Sequence, residues 1–143
     1  MPPHAYVPGQ TARHPENWFD GIKAGVECCP SALALQDTLA WRAGLSYFEA
    51  GFFWECHEVL EAVWMQTPQA TPEREMVQAL IQLANARLKI RMMRPKAVGR
   101  LCDMVQAHLE NCPKDRAILG LRRAQLQQSV DRTRRDNMQI SAL

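Results

Sequence analysis

His57, Glu58 and Glu61 stand in the spacing H-E-x-x-E, inside a stretch from Phe48 to Trp64 that is otherwise rich in aromatic and aliphatic residues. On a helix, residues four apart share a face one turn apart, so His57 and Glu61 can offer an imidazole and a carboxylate to the same ligand. The pattern is one substitution away from the H-E-x-x-H of zinc proteases, where two helical ligands hold the metal and the intervening Glu activates water. On that reading His57 and Glu61 are candidate ligands of a divalent metal, and Glu58 or Glu61 is the catalytic base of a small hydrolase-like or acid/base enzyme. The other imidazoles, His4, His14 and His108, fall in no recognisable third-ligand motif, although the segment Arg13-His14-Pro15-Glu16 could fold back to complete a site. The commoner fate of such residues is a histidine hydrogen-bonded to a carboxylate at the rim of a core. Cys56 points about 100° away from His57 on a helix, which gives no support to a Cys-His nucleophile.

The element that must position these residues reads as a helix from Phe52 to about Gln66. Its wheel places Phe52, Phe53, Cys56, Val59, Leu60, Val63 and Trp64 on one apolar arc, with His57 at the edge, Glu61 beyond it, then Trp54, and Glu58 and Glu55 farther out. A helix expected over 72–93, capped by Thr71 with Pro72 at its first position, is apolar round about two thirds of its circumference. The remaining sector carries Gln78, Gln82, Asn85 and Lys89 on one line. The spacing therefore predicts a polar cleft between the two helices, formed by Glu55, His57, Gln78, Gln82, Asn85 and Lys89 with Trp54 and Trp64, because acids and imidazole at a core rim need polar partners. Arg87, inside the apolar arc, is a candidate partner for one of the glutamates.

Other elements follow from punctuation. Asp37 is expected to cap a helix over 37–50 that Gly51 ends, Pro95 opens a helix over 95–111 that Cys112-Pro113 breaks, and a polar, Arg-rich helix over 115–135 is expected to fray. Residues 1–30 hold five of the nine prolines. They read as an extended arm with a short helix near Pro15 carrying Trp18, Phe19 and Ile22. Strand signals and hairpin turns are absent. The fold class is all-α, a compact antiparallel multi-helix bundle, with an arm over 1–30, one helical domain over 31–135 and a tail over 136–143.

Composition narrows the setting. Lengths near 143 residues suit one domain with one core. No signal peptide is visible at the start, and the apolar runs are too short to cross a bilayer, so a cytoplasmic protein without membrane partners is expected. Five cysteines in no metal or disulfide spacing fit reduced, buried thiols. Charge is unevenly distributed: residues 1–75 carry four Lys/Arg against ten Asp/Glu, and residues 76–143 carry thirteen against five. This asymmetry fits either acidic helices lying on basic ones or a solvated surface. A nucleic-acid partner on Arg122, Arg123, Arg132, Arg134 and Arg135 is the alternative, weakened by the lack of aromatic stacking residues among them.

The residues Phe48, Ala50, Gly51, Phe53, Glu55, His57, Glu58, Leu60, Glu61 and Trp64 match the signature F-x-A-G-x-F-x-E-x-H-E-x-L-E-x-x-W, and Glu73-Arg74 with Leu80-Ile81-Gln82-Leu83-Ala84 match a second one. Over about residues 37–110 the chain thereby resembles the domain of unknown function 309 family. The leading P-H-A-Y-V-P-G and R-H-P-E segments are similar to those of some bacterial members. The resemblance implies a small all-α domain and leaves function open. It also implies a histidine near Leu88 or Lys89 that this chain lacks, which counts against a shared two-histidine metal site; an ammonium at Lys89 would instead neutralise Glu61 or bind an anion.

Three readings result. The first is a helical interaction or structural module with a polar His/Glu/Gln network, with a homo-oligomer among its forms. The second is the metal-dependent or acid/base enzyme, and the third is nucleic-acid binding by the basic C-terminal helix.

Overall fold

The structure, a computed structural model, describes residues 1–26 and 31–142. The Cys28-Cys29 pair lies outside the described residues. Among the described residues seven helices follow in order: α1 (Asp20–Ala24), α2 (Ala32–Gln36), α3 (Leu39–Ala50), α4 (Phe53–Met65), α5 (Pro72–Arg91), α6 (Pro95–Glu110) and α7 (Arg123–Ser141). Among the described residues there is no β-strand, only one isolated bridge between Ile118 and Leu121. The protein is all-α, and among the described residues no helix is long and apolar enough to cross a membrane.

Cross-helix contacts fix the directions. Trp64 meets Arg74 and Gly51 meets Arg91 across α4 and α5, Glu75 meets His108 across α5 and α6, and Asp103 meets Arg134 across α6 and α7. The end of α4 lies against the start of α5 and the start of α5 against the end of α6, while Gln106 meets Gln127 and Asn137 meets the Pro95 carbonyl between α6 and α7, so these consecutive helices run antiparallel, as short connections require. α5 is central and packs on α4, α6 and α7. It buries Met76, Val77, Ala79, Leu80, Ile81, Leu83, Ala84, Ala86 and Leu88. A helix touched on three sides must be apolar round most of its surface.

Local chemistry sets the boundaries. Gly51 ends α3 with φ +84°, a left-handed conformation that costs a side-chain-bearing residue more. A Cβ there would also sit 2.6 Å from the Arg91 guanidinium. α5 opens as expected, with the Thr71 hydroxyl accepting from Arg74 N–H at 3.3 Å and Pro72 at the first position. The cap of α3 is Thr38, whose hydroxyl accepts from Trp41 N–H at 3.2 Å, and not Asp37, which instead closes α2. α2 itself, started by the Ser31 hydroxyl, was not anticipated from the sequence.

The last helix differs most from the sequence reading. It starts at Arg123 and runs to Ser141, so residues 136–141 of the expected tail continue the helix. Residues before it are spent on a turn in which Leu119 and Gly120 have φ of 52° and 82°. Ile118 and Leu119 are buried there, and the Trp41 indole N–H donates to the Leu119 carbonyl at 3.0 Å. Apolar residues that read as helix face are used to seat a turn on α3.

The arm is ordered against the bundle. Val7, Phe19 and Val26 join the core cluster, and Gln10 Nε2 donates to the Arg91 carbonyl at 2.6 Å.

Candidate functional site

His57 and Glu61 stand on α4 because the Phe52–Trp64 apolar arc turns inward and leaves their stripe at its edge. His57 Nδ1 lies 3.2 Å from the Trp54 carbonyl one turn back, and Nε2 lies 2.9 Å from Glu61 Oε1. Across from them, the polar line of α5 supplies Gln78, Gln82 and Asn85. These residues line a groove of about 360 Å³ with Trp64, Met65 and Ile81. Among the described residues, the only side-chain hydrogen bond of the three amides is Asn85 Nδ2 to Gln82 Oε1 at 3.4 Å. Their remaining donors and acceptors are free for water or a ligand.

One end of the groove is fixed by Arg74, whose guanidinium lies 3.9 Å from the centre of the Trp64 ring while its Nη1 donates to the Thr67 carbonyl at 3.0 Å. Trp64 and Gln78 also line a smaller neighbouring hollow with Arg74, Glu75 and His108, where His108 Nδ1 and Glu75 Oε2 are 2.6 Å apart. Glu58 pairs with Lys23 of α1, Nζ to Oε1 2.7 Å. One ligand atom each from His57, Glu58 and Glu61 lies within 4.8 Å of the others.

Three of the residues expected in this cleft are not among its lining residues. Lys89 is one, and Glu61 takes His57 as its partner in place of the expected ammonium. Trp54 is the second. It stands between His57, at a ring distance of 6.1 Å, and the arm, where Tyr6 meets it edge-on at 5.1 Å.

Glu55 is the third, and its place is the largest departure. The wheel puts it on the outer side of α4, yet it is 0% exposed. The arm covers that side. Glu55 Oε2 accepts from the Tyr6 backbone N–H at 2.7 Å and faces His14 Nε2 at 2.6 Å, while Oε1 is buried with no hydrogen-bond partner among the described residues. His14, itself 5% exposed, is ringed by His4, Trp18, Phe19 and Trp54. The segment around His14 does fold back on α4, to Glu55 and not to His57. The carboxylate is felt nearby: burial, and then the charge of Glu55, push the Tyr47 hydroxyl and the Cys56 thiol upward. A helical wheel cannot show this pairing, because it depends on a segment roughly forty positions away. The usable signal was an arm carrying His4, Tyr6, His14, Trp18 and Phe19, groups that need a surface to cover.

The charge asymmetry is not resolved by acidic helices lying on basic ones. Close pairs form within each half, Lys23 with Glu58, Arg87 with Asp136 and Arg134 with Asp103; Glu75 with His108 is the pair that crosses. Arg87 thus serves Asp136 on α7 and, among the described residues, pairs with no glutamate. Of the C-terminal arginines, Arg134 is committed to Asp103 and Arg123 to the Cys112 carbonyl, whereas Arg122, Arg132 and Arg135 are exposed.

Residues 41–101 match the family model described as Domain of unknown function (DUF309). The span covers the groove helices α4 and α5, with most of α3 and the first part of α6, and over these residues the chain is similar to that family. The arm that buries Glu55 lies outside it. Comparison with curated proteins and with solved structures finds no match.

Proposed function

We propose that the DUF309 domain of this chain is a helical interaction module that holds an extended peptide segment in the α4–α5 groove. The observation that carries the reading is the row Gln78, Gln82 and Asn85, half-buried along one groove wall with most of its hydrogen-bonding capacity unused. Each amide side chain is both donor and acceptor, as a peptide backbone is. A rise of about 1.5 Å per helical residue sets Gln78 and Gln82 roughly 6 Å apart. An extended chain repeats each face every two residues, about 6.6–6.8 Å, so successive same-face peptide groups can meet successive amides. Trp64, Met65 and Ile81 supply apolar contact for alternate side chains.

The test is selection of peptides from a random display library on the full chain, followed by fluorescence anisotropy. Enriched peptides are expected to lose roughly tenfold or more in affinity on the Gln78→Leu/Gln82→Leu variant, as unpaired peptide groups each cost about 1–3 kcal/mol. Equal binding to that variant, or no enrichment, would reject the reading. We also infer a cytoplasmic setting: Cys56, Cys102 and Cys112 are buried free thiols, which suits a reducing compartment.

A further inference from the structure

α3 packs on α4, and α7 packs on α5 and α6, which leaves a cleft between α3 and α7 above α5. Two adjoining hollows of about 200 and 230 Å³ occupy it, and Phe48, Glu49 and Ser129 line both. Helical spacing sets the rows. Leu45, Phe48 and Glu49 share a face of α3, Leu80, Leu83 and Arg87 a face of α5, and Gln125, Ser129 and Arg132 a face of α7. Leucines therefore gather at one end of the cleft and charges at the other. We propose that this cleft binds a free α-amino acid with an aliphatic side chain. The leucine end takes the side chain, Glu49 the ammonium, and Arg132 with Arg87 the carboxylate. The cleft shares no lining residue with the α4–α5 groove.

The apolar hollow reaches the core. Leu80, Leu83 and Leu126 are buried residues that line it, with Leu45 and Leu121 at its sides, a surface suited to an aliphatic chain. The other hollow carries the charges. Glu49 on α3 and Arg132 on α7 both line it and are exposed. Among the described residues neither pairs with an opposite charge, and they do not close on one another across the hollow. Arg87 gives Nη1 to Asp136 at 2.6 Å and keeps the rest of its five donors. Charge complementarity names the ligand class. A fatty acid meets the Glu49 carboxylate where the hollows join, and an alkylamine meets two guanidiniums. An α-amino acid holds both charges on one carbon, with its side chain as the third arm. Each exposed charge contact alone is weak in water. A side chain seated among the leucines makes both contacts intramolecular, which raises their effective concentration.

The test is isothermal titration calorimetry on the full chain with L-leucine, with isocaproate as the analogue lacking the ammonium and isoamylamine as the one lacking the carboxylate. One L-leucine per chain is expected, and each analogue should bind roughly tenfold or more weakly, the loss of one charge-assisted contact. Glu49→Gln should weaken L-leucine by a similar factor without weakening isocaproate. Arg132→Met should weaken L-leucine and isocaproate without weakening isoamylamine. Both side chains are exposed, so the two variants keep the fold, checked by circular dichroism. Absence of L-leucine binding at millimolar concentration, or binding indifferent to both substitutions, overturns the site. Isocaproate or isoamylamine equal to L-leucine overturns the assignment of an amino acid. Neither substitution touches the α4–α5 groove, so peptide binding there stands or falls separately.

Discussion

His14 Nε2 lies 2.6 Å from Glu55 Oε2, both side chains buried, and this contact ties the N-terminal arm to α4. The same carboxylate oxygen takes the Tyr6 N–H at 2.7 Å. One acid thus meets two groups from the arm, and a third contact, Gln10 to the Arg91 carbonyl, fastens the loop between them. Glu55→Ala should orphan both groups at about 1–3 kcal/mol each. Urea unfolding should report the loss, and limited trypsinolysis should cut at Arg13 and Lys23 faster than in the parent chain. An unchanged midpoint with unchanged cleavage would mean the arm is not part of the cooperative fold.

Trp64 shows why a wheel position is not a burial. It closes the apolar arc of α4, and a buried tryptophan there would cost about 3–5 kcal/mol on truncation. In the structure it is only half-buried, at the groove mouth under the Arg74 guanidinium. The expected loss in Trp64→Ala is therefore about 1–2 kcal/mol, from partial burial and a cation–π contact of about 0.5–1 kcal/mol. Chemical denaturation measures it, and a loss above 3 kcal/mol would show that the ring is fully sequestered in solution.

The stripes on α4 and α5 were legible because both follow from the helical period, which a sequence displays directly. His57 with Glu61, and Gln78 with Gln82 and Asn85, occupy the faces their spacing assigns, as do the Gly51 and Thr71 boundaries. Glu55, Lys89 and Arg87 take places other than those their spacing assigns. Glu55 and Arg87 have their surroundings set by an element distant in sequence, the arm over Glu55 and α7 beside Arg87, whereas at Glu61 the partner is local, His57 one turn back taking the place that Lys89 was expected to fill. The start of α7 was hidden likewise, since Ile118 and Leu119 look helical until Trp41 gives their turn a partner.

Gly44 lies on α3 where a Cβ would overlap the δ-methyl of Leu60, a fully buried residue of α4. In an open helix Gly→Ala stabilises by about 1 kcal/mol through propensity. Here the two helices meet at this glycine, and an added methyl must push them apart or force Leu60 off its rotamer, at about 1–3 kcal/mol. Gly44→Ala is expected to lower stability, while Gly99→Ala on α6, where nothing lies within 4 Å of the added carbon, should raise it. Calorimetry on the two variants gives opposite signs if the α3–α4 contact is this close, and equal stabilisation would show that it is not.

The thiols provide a test of burial that involves no mutation. Cys112 is pushed up to about 11 from 9.0, first by burial and then by the charge of Glu75, with Arg123 opposing. Cys56 is raised further by burial and by Glu55, and Cys102 is raised chiefly by burial. Only the thiolate attacks an alkylating agent, and at pH 8 a group near 11 is ionised in about one molecule in a thousand. Native protein treated with iodoacetamide should leave Cys56, Cys102 and Cys112 unmodified by peptide mass mapping, and urea should expose all three. The sign for stability follows. A thiol raised on folding binds its proton more tightly in the native state, so its contribution is complete below the unfolded value of 9.0 and is lost as pH rises through about 11 for Cys112. The unfolding midpoint should therefore fall across that interval. Rapid native labelling of Cys56 at pH 8 would contradict the packing of α4 against α5.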